Sequence, residues 1–299
     1  MRLRRSELST PGSNESMIAK AAASDADLVF LDLEDAVAPS EKVPARAKIV
    51  NGLKTLDWGK KTRAVRMNSL DTEWAYEDVI HIVEEAGDVL DLIIVPKVKT
   101  AADVLWVDTL LTQIEKKRKM ERRIALEVLI EEVEAMINAE EIARSTPRLE
   151  ALIFGPGDYS ASQGVRSSAA GGVSKDYPGD IWHYARNKIV IAARAAGIEA
   201  VDGPFANFRD AEGYRRECTR AATLGFVGKW AIHPGQIEIA NEVFSPTPQQ
   251  VERARKMVAA YEDAQRQGLG SVAIDGVMVD AVIFRANLPI IEKADAIGI

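Results

Sequence analysis

Short apolar or β-branched runs alternate eight times with longer segments of helical period, and this alternation constrains the fold more than any other feature of the chain. The strand expectations are Arg4 to Leu8, Leu28 to Leu33, Thr62 to Met67, Leu92 to Pro96, Ile124 to Ile130, Ala151 to Phe154, Ile198 to Val201 and Phe226 to Ile232. Helical patterns lie between them at Ser16 to Ser24, Glu73 to Ala86, Ala101 to Lys117, Val133 to Arg144, Ile181 to Ala196 and Asp210 to Thr223. Eight βα alternations predict an α/β chain with a closed (β/α)8 TIM barrel. The alternative is an open doubly wound sheet, which usually carries a G-x-G-x-x-G fingerprint after an early strand; none follows these strands.

The barrel is expected over 1–244, and 245–299 then form a C-terminal helical extension. That extension opens on Ser245-Pro246-Thr247-Pro248, has a helix from about Gln249 to Gln267, a glycine-containing break and a last helical segment. Ser167 to Gly179, rich in Ser, Gly and Ala, reads as the most mobile stretch. With 45 acidic against 38 Lys and Arg residues, the net charge of -7 opposes general affinity for nucleic acid or anionic membrane. No apolar run approaches a membrane span, the basic start Met1-Arg2-Leu3-Arg4-Arg5 lacks an apolar segment behind it, and the single Cys218 allows no intramolecular disulfide; a cytoplasmic protein is expected. Cys218 and His183 read as helix-packing residues.

Three apolar runs end in carboxylates: Leu28 to Asp35, Ile124 to Glu131 and Leu152 to Asp158. Barrel enzymes build their sites at such strand ends, so these acids share one rim. Glu131 ends the fifth strand and Asp158 follows the sixth; carboxylates on neighbouring strands, about 4.8 Å apart, are able to share a Mg2+ ion while leaving positions for water and substrate. Parity places Glu127 on the same face as Glu131, deeper in the barrel, as a structural residue, and has Glu132 starting the next helix. Asp158 also suits a plain Gly-Pro-Gly-Asp turn. Glu34 and Asp35 are expected to support the metal's waters or nearby cations. Arg66, at the third strand's tip, reads either as the salt-bridge partner of a rim acid or as a clamp for a substrate carboxylate or enolate. Ser9-Thr10-Pro11-Gly12-Ser13-Asn14 followed by Lys20 is a weak anion-binding pattern, and His233 before Pro234 is a candidate pocket residue or a hydrogen-bonded structural one.

The blocks Arg5 to Asn14, Leu31 to Pro39, Val65 to Thr72, Val95-Pro96-Lys97-Val98, Glu127 to Glu131, Asp202-Gly203-Pro204-Phe205 and Gly228 to Pro234, in this order over nearly the whole chain, resemble the citrate lyase β-subunit (HpcH/HpaI aldolase) superfamily, and within it the malyl-CoA/β-methylmalyl-CoA lyases. The resemblance implies Mg2+, with Mn2+ as a substitute, on Glu131 and Asp158. It implies a substrate-binding Arg66, contacts to coenzyme A or substrate at Asn14, Lys20, Gly157, Asp158, Ile232 and His233, and a catalytic Asp280 in Gly276-Val277-Met278-Val279-Asp280 that enters a neighbouring subunit's site. Asp275, close by, is not separated from Asp280 by the residues alone. A homotrimer or homohexamer follows from the resemblance, as does reversible cleavage of malyl-CoA or β-methylmalyl-CoA to glyoxylate and acetyl-CoA or propionyl-CoA. A (3S)-malyl-CoA thioesterase, a citramalyl-CoA or citryl-CoA lyase, and a silent scaffold are the competing readings. The chain departs from the family pattern at Asn14, where some relatives have Arg, and in a shorter segment between Gly172 and Trp182.

Overall fold

A computed structural model describes residues 2–166 and 177–299. Eight parallel strands close into a barrel in sequence order: β1 (Ser6–Pro11), β2 (Leu28–Asp32), β3 (Thr62–Arg66), β4 (Leu92–Val95), β5 (Ala125–Ile130), β6 (Leu149–Phe154), β7 (Glu199–Asp202) and β8 (Gly228–Ala231). Closure comes from β8 pairing back onto β1, with Trp230 opposite Glu7. The helices are α1 (Glu15–Ala22), α2 (Lys42–Thr55), α3 (Ala75–Ala86), α4 (Ala101–Arg118), α5 (Val133–Ile137), α6 (Ala139–Ala143), α7 (Pro156–Ser162), α8 (His183–Ala196), α9 (Ala211–Leu224), α10 (Ile237–Val243), α11 (Pro248–Arg266) and α12 (Ala281–Ile297). The fold is the (β/α)8 TIM barrel that the alternation predicts.

Strand parity fills the barrel. Leu28 and Phe30, Ala64, Leu92 and Ile94, Leu129, Ala151 and Ile153, Val201 and Trp230 form one buried cluster. The alternate residues Val29, Leu31, Val65, Ile93, Val128 and Leu152 are equally buried on the other strand face, which is why these strands read as continuous apolar runs. Charge does enter the barrel. Arg4 pairs with Glu127 at 2.7 Å and Glu150 at 2.5 Å, so Glu127 is a buried ion-pair residue. Trp230 donates its indole N–H to Glu7 Oε2 at 2.9 Å. Burial and the neighbouring Glu127 charge push the Glu7 carboxyl well above the ordinary range.

Several local expectations are corrected. The first strand runs to Pro11, not Leu8, because Thr10 and Pro11 stay in register with Leu31 and Asp32; a proline at a strand's last residue forfeits little of the ladder. The expected helix from Val133 to Arg144 breaks at Asn138 (φ −94°, ψ 12°), whose side-chain amide donates to the Lys99 carbonyl at 2.9 Å. Glu132 stands at the N-cap position of α5 without a side-chain capping bond, and its carboxylate instead accepts from the Ser162 hydroxyl at 2.8 Å. His183 is exposed at the start of α8 with Nε2 3.1 Å from the Asn187 amide, so it is not a packing residue, whereas Cys218 is buried in α9. The expected mobile stretch lies, from 167 to 176, outside the described residues, as does part of the shortened segment.

The chain divides into two compact units, Arg4–Asn241 and Glu242–Ile299 with the extreme N-terminus. In the second, Thr247 and Gln250 cap α11 reciprocally, with Pro248 at its first position. The break read as a glycine interruption is a hairpin of β9 (Val272–Ile274) and β10 (Val277–Val279). Its turn residues Asp275 and Gly276 both have positive φ, 49° and 76°, the signature of a two-residue turn that matches strand twist. Met257, Tyr261 and Val279 form the buried centre of this unit, with Val272, Ile274, Val277, Ile283 and Phe284 against them. Among the described residues no helix is long and apolar enough to cross a membrane.

Candidate active site

The charged side chains that the sequence places at strand ends meet at the C-terminal mouth of β2, β3, β4 and β5. Arg66 and Asp32 are register partners on β3 and β2. The guanidinium donates from Nε to Asp32 Oδ1 at 2.7 Å and from Nη2 to Oδ2 at 2.6 Å, and Nη1 lies 2.8 Å from Glu34 Oε2. It stands over the rings of Trp230 and Phe30, 5.4 and 5.9 Å from their centroids. Of the two readings of Arg66, the salt bridge is therefore present, and it fixes the plane of the guanidinium. Burial works against this cation, but Asp32 and Glu34 outweigh it and hold its pKa above the arginine range.

Asp32 also accepts from the backbone N–H groups of Glu34 at 2.9 Å and Ala36 at 3.1 Å, shaping the loop after β2. Lys42 completes that loop: its ammonium donates to the Leu33 and Glu34 carbonyls, both at 2.9 Å, and to Asn68 Oδ1 at 2.6 Å. Asn68 is held in turn by Asp78, which Arg46 binds at 2.7 Å. The loops after β2 and β3 are thus tied to α2 and α3 by buried polar contacts.

Glu131 is buried beyond the end of β5. Its Oε1 accepts from the Lys97 backbone N–H at 2.8 Å. Oε2 projects toward Gly155, where an added Cβ would come within 2.6 Å of it and 2.5 Å of Glu131 Cβ. A side chain at 155 would displace the carboxylate. Asp158 sits in the first turn of α7, behind Pro156, so the Gly-Pro-Gly-Asp composition opens a helix. Burial, and the charges of Glu34 and Asp158, push the Glu131 carboxyl up to about 8. Burial likewise raises Glu34, against Arg66 and Lys97.

Lys97 joins these groups. Its backbone lies in the left-handed region at φ 50°, its ammonium is 2.8 Å from Glu34 Oε1 and 3.4 Å from Asp35 Oδ1, and its N–H holds Glu131. Sequence reasoning singled out neither Lys97 nor Asp32 as a site residue. With every group ionised, as when a cation replaces the Glu131 proton, the mouth carries Asp32, Glu34, Asp35, Glu131 and Asp158 against Arg66, Lys97 and Lys42, a formal excess of two negative charges. Oxygen donors, a buried carboxyl with a raised pKa and that excess suit a hard divalent cation. Glu131 and Asp158 fit it as ligands. Among the described residues no three His, Cys, Asp or Glu side chains form a metal-holding group.

The remaining barrel candidates follow β1, β6 and β8, and Asp280 lies in the second unit. Asn14 caps α1 by accepting from Met17 N–H at 3.0 Å, and Lys20 is exposed in the last turn of the same helix. Gly157 is exposed in α7. Ile232 is 39% exposed and its N–H donates to Gln236 Oε1 at 2.8 Å. His233 stacks on Phe208 with centroids 5.0 Å apart. Its Nδ1 accepts from Gly235 N–H at 3.1 Å. The β7 and β8 ends rest on a buried ion network in which Lys229 contacts Asp202 at 2.6 Å, the Gly203 carbonyl at 2.7 Å and Glu217 at 3.0 Å. Asp280 caps α12, accepting from Val282 and Ile283 N–H at 2.9 and 3.0 Å. Asp275 instead contacts Lys256 through both oxygens, at 2.9 and 2.7 Å.

Residues 5–234 match the model of the HpcH/HpaI aldolase/citrate lyase family. The chain belongs to this family. Within reach of its sequence is the L-malyl-CoA/β-methylmalyl-CoA lyase of Cereibacter sphaeroides, 45% identical over 98% of this chain and 95% of the relative. The (3S)-malyl-CoA thioesterase of the same species is 38% identical over the same shares. Among family structures, the CitE protein of Mycobacterium tuberculosis, in complex with magnesium, acetoacetate and coenzyme A, superposes with a TM-score of 0.74 at 28% identity, covering 97% of both chains. The blocks that carry the resemblance lie on β1, at the charged mouth of β2 to β5 and at the ion network of β7 and β8.

Proposed function

We propose that this chain is a divalent-metal-dependent lyase that reversibly cleaves the carbon–carbon bond of (S)-malyl-CoA to acetyl-CoA and glyoxylate, and of β-methylmalyl-CoA to propionyl-CoA and glyoxylate. The observation that carries this reading is the 45% identity, across 98% of the chain, to a malyl-CoA/β-methylmalyl-CoA lyase. The convergence of Arg66, Glu131 and Asp158 at one barrel mouth supports it. Mg2+, with Mn2+ as a substitute, held by Glu131 and Asp158 would supply Lewis-acid polarisation of the oxo acid carbonyl. Arg66, fixed in plane by Asp32, presents positive charge to the enolate that develops on the thioester. In the condensation direction Asp280 of a neighbouring subunit removes the α-proton; in cleavage it returns the proton to the same carbon. Lys20, Asn14, Gly157, Ile232 and His233 are assigned to the coenzyme A thioester and substrate. This reading makes the protein a homotrimer or homohexamer acting in the cytoplasm.

The second reading is thioester hydrolysis, favoured by the 38% identity to a (3S)-malyl-CoA thioesterase. Incubation with Mg2+ and a panel of 3-hydroxyacyl-CoAs, with products identified by mass, tests both. Glyoxylate with acetyl-CoA or propionyl-CoA is expected. Pyruvate as the oxo acid would move the assignment to a citramalyl-CoA lyase, and no turnover across the panel would overturn the proposal.

A further inference from the structure

Lys97 does two things at once that its sequence position does not suggest. It follows Pro96 at the end of β4 in a left-handed conformation, φ 50°, that an L-residue adopts only at a cost of about 1 kcal/mol or more. In that conformation its N–H donates to Glu131 at 2.8 Å, while the ammonium lies 2.8 Å from Glu34 and 3.4 Å from Asp35. One residue therefore contacts three of the mouth's carboxylates, Glu131 through its backbone N–H and Glu34 and Asp35 through its ammonium.

We propose that Lys97 is a positioning residue whose ammonium serves as an internal counterion for Glu34 and Asp35, keeping that pair out of metal coordination and confining a single divalent ion to Glu131 and Asp158. The inference rests on the metal reading given above. A hard cation prefers the site richest in uncommitted carboxylate oxygens. Without the ammonium, Glu34 and Asp35 would add their charge to the metal's surroundings or bind a second ion. With it, Glu34 remains committed to Arg66, 2.8 Å away, and the guanidinium keeps its place above Trp230.

The test is Mn2+ binding to the full-length protein, read by electron paramagnetic resonance of free Mn2+ and by calorimetry, in the absence of substrate. Lys97→Gly is the informative variant: glycine takes a positive φ without strain and keeps the N–H on Glu131, so only the ammonium is lost. Lys97→Arg retains the charge, and Lys97→Met removes it with little change in side-chain bulk. Removal of one positive charge beside a divalent ion is expected to tighten Mn2+ binding by about tenfold or to add a second equivalent, in both Lys97→Gly and Lys97→Met, with Lys97→Arg close to the unchanged protein. One equivalent at unchanged or weaker affinity in Lys97→Gly would overturn the inference alone. Failure of the unchanged protein to bind Mn2+ would overturn the metal reading and this inference together.

Discussion

Arg66 and Asp32 face each other across adjacent strands and share two buried hydrogen bonds of 2.7 and 2.6 Å, so the orientation of the site's guanidinium is set by a carboxylate one strand away. Asp32→Ala leaves Arg66 with a buried, partly unpaired charge. A loss of about 3–5 kcal/mol of unfolding free energy is expected, read by urea denaturation, together with a fall in kcat. Unchanged stability would show that Glu34 alone satisfies Arg66.

Glu131 has a pH signature. Its pKa in the folded protein is about 8, above the ordinary carboxyl value of 4.5, because of burial and the charges of Glu34 and Asp158. The metal-free folded state therefore loses stability as pH rises from about 4.5 through 8. Glu131→Gln should remove that slope, be more stable than the unchanged protein above pH 8, and bind no Mg2+. For the unchanged protein, Mg2+ affinity should rise with pH up to about 8, since the ion displaces a proton; calorimetry in buffers of different ionisation enthalpy measures the proton released.

Asp202 runs in the opposite sense. Burial raises it, but Lys229 and Arg186 outweigh burial and hold its pKa below the ordinary 3.8. The stability it contributes is present above pH 3.8 and is lost as pH falls through its lower, folded-state value. Asp202→Asn leaves Lys229 buried beside a neutral amide. A cost of about 3–5 kcal/mol near pH 7, shrinking at strongly acid pH, is expected in denaturation series.

Asp280→Asn should abolish turnover without unfolding the second unit, because Asn caps a helix about as well as Asp and α12 keeps its two capping bonds. Circular dichroism, sedimentation and a glyoxylate assay on one preparation check this. Near-normal turnover would remove Asp280 from the mechanism.

Gly155→Ala places a methyl group within 2.6 Å of Glu131 Oε2 and should weaken Mg2+ binding by about tenfold or more while the barrel still forms. Calorimetric titration of the variant with Mg2+ is the check.

Much of this arrangement was legible in the residues. Strand-end position and parity pick out Arg66, Glu34, Glu131 and Asp158, because a closed barrel sends every strand's last inward residue to the same mouth. Lys97 was not legible as a site residue: lysine carries no signal for positive φ, and its part follows from a backbone turn fixed only by tertiary contacts with Glu131 and Glu34. Asp32 was hidden inside an apolar run, where only the register with β3 shows that Arg66 is its partner. The hairpin before Asp280 had a readable sign in Asp275-Gly276, a turn pair between two apolar triplets, that the strong helical periodicity on both sides outweighed. The family resemblance, and no physical pattern, separates Asp280 from Asp275.

The central claim is carbon–carbon cleavage supported by a divalent ion, and the ratio of glyoxylate formed to (S)-malyl-CoA consumed measures it most directly. With Mg2+ present, one glyoxylate and one acetyl-CoA per malyl-CoA are predicted, with activity lost on chelation and restored by Mg2+. Free coenzyme A and malate in equal amounts, with no glyoxylate, would contradict the claim.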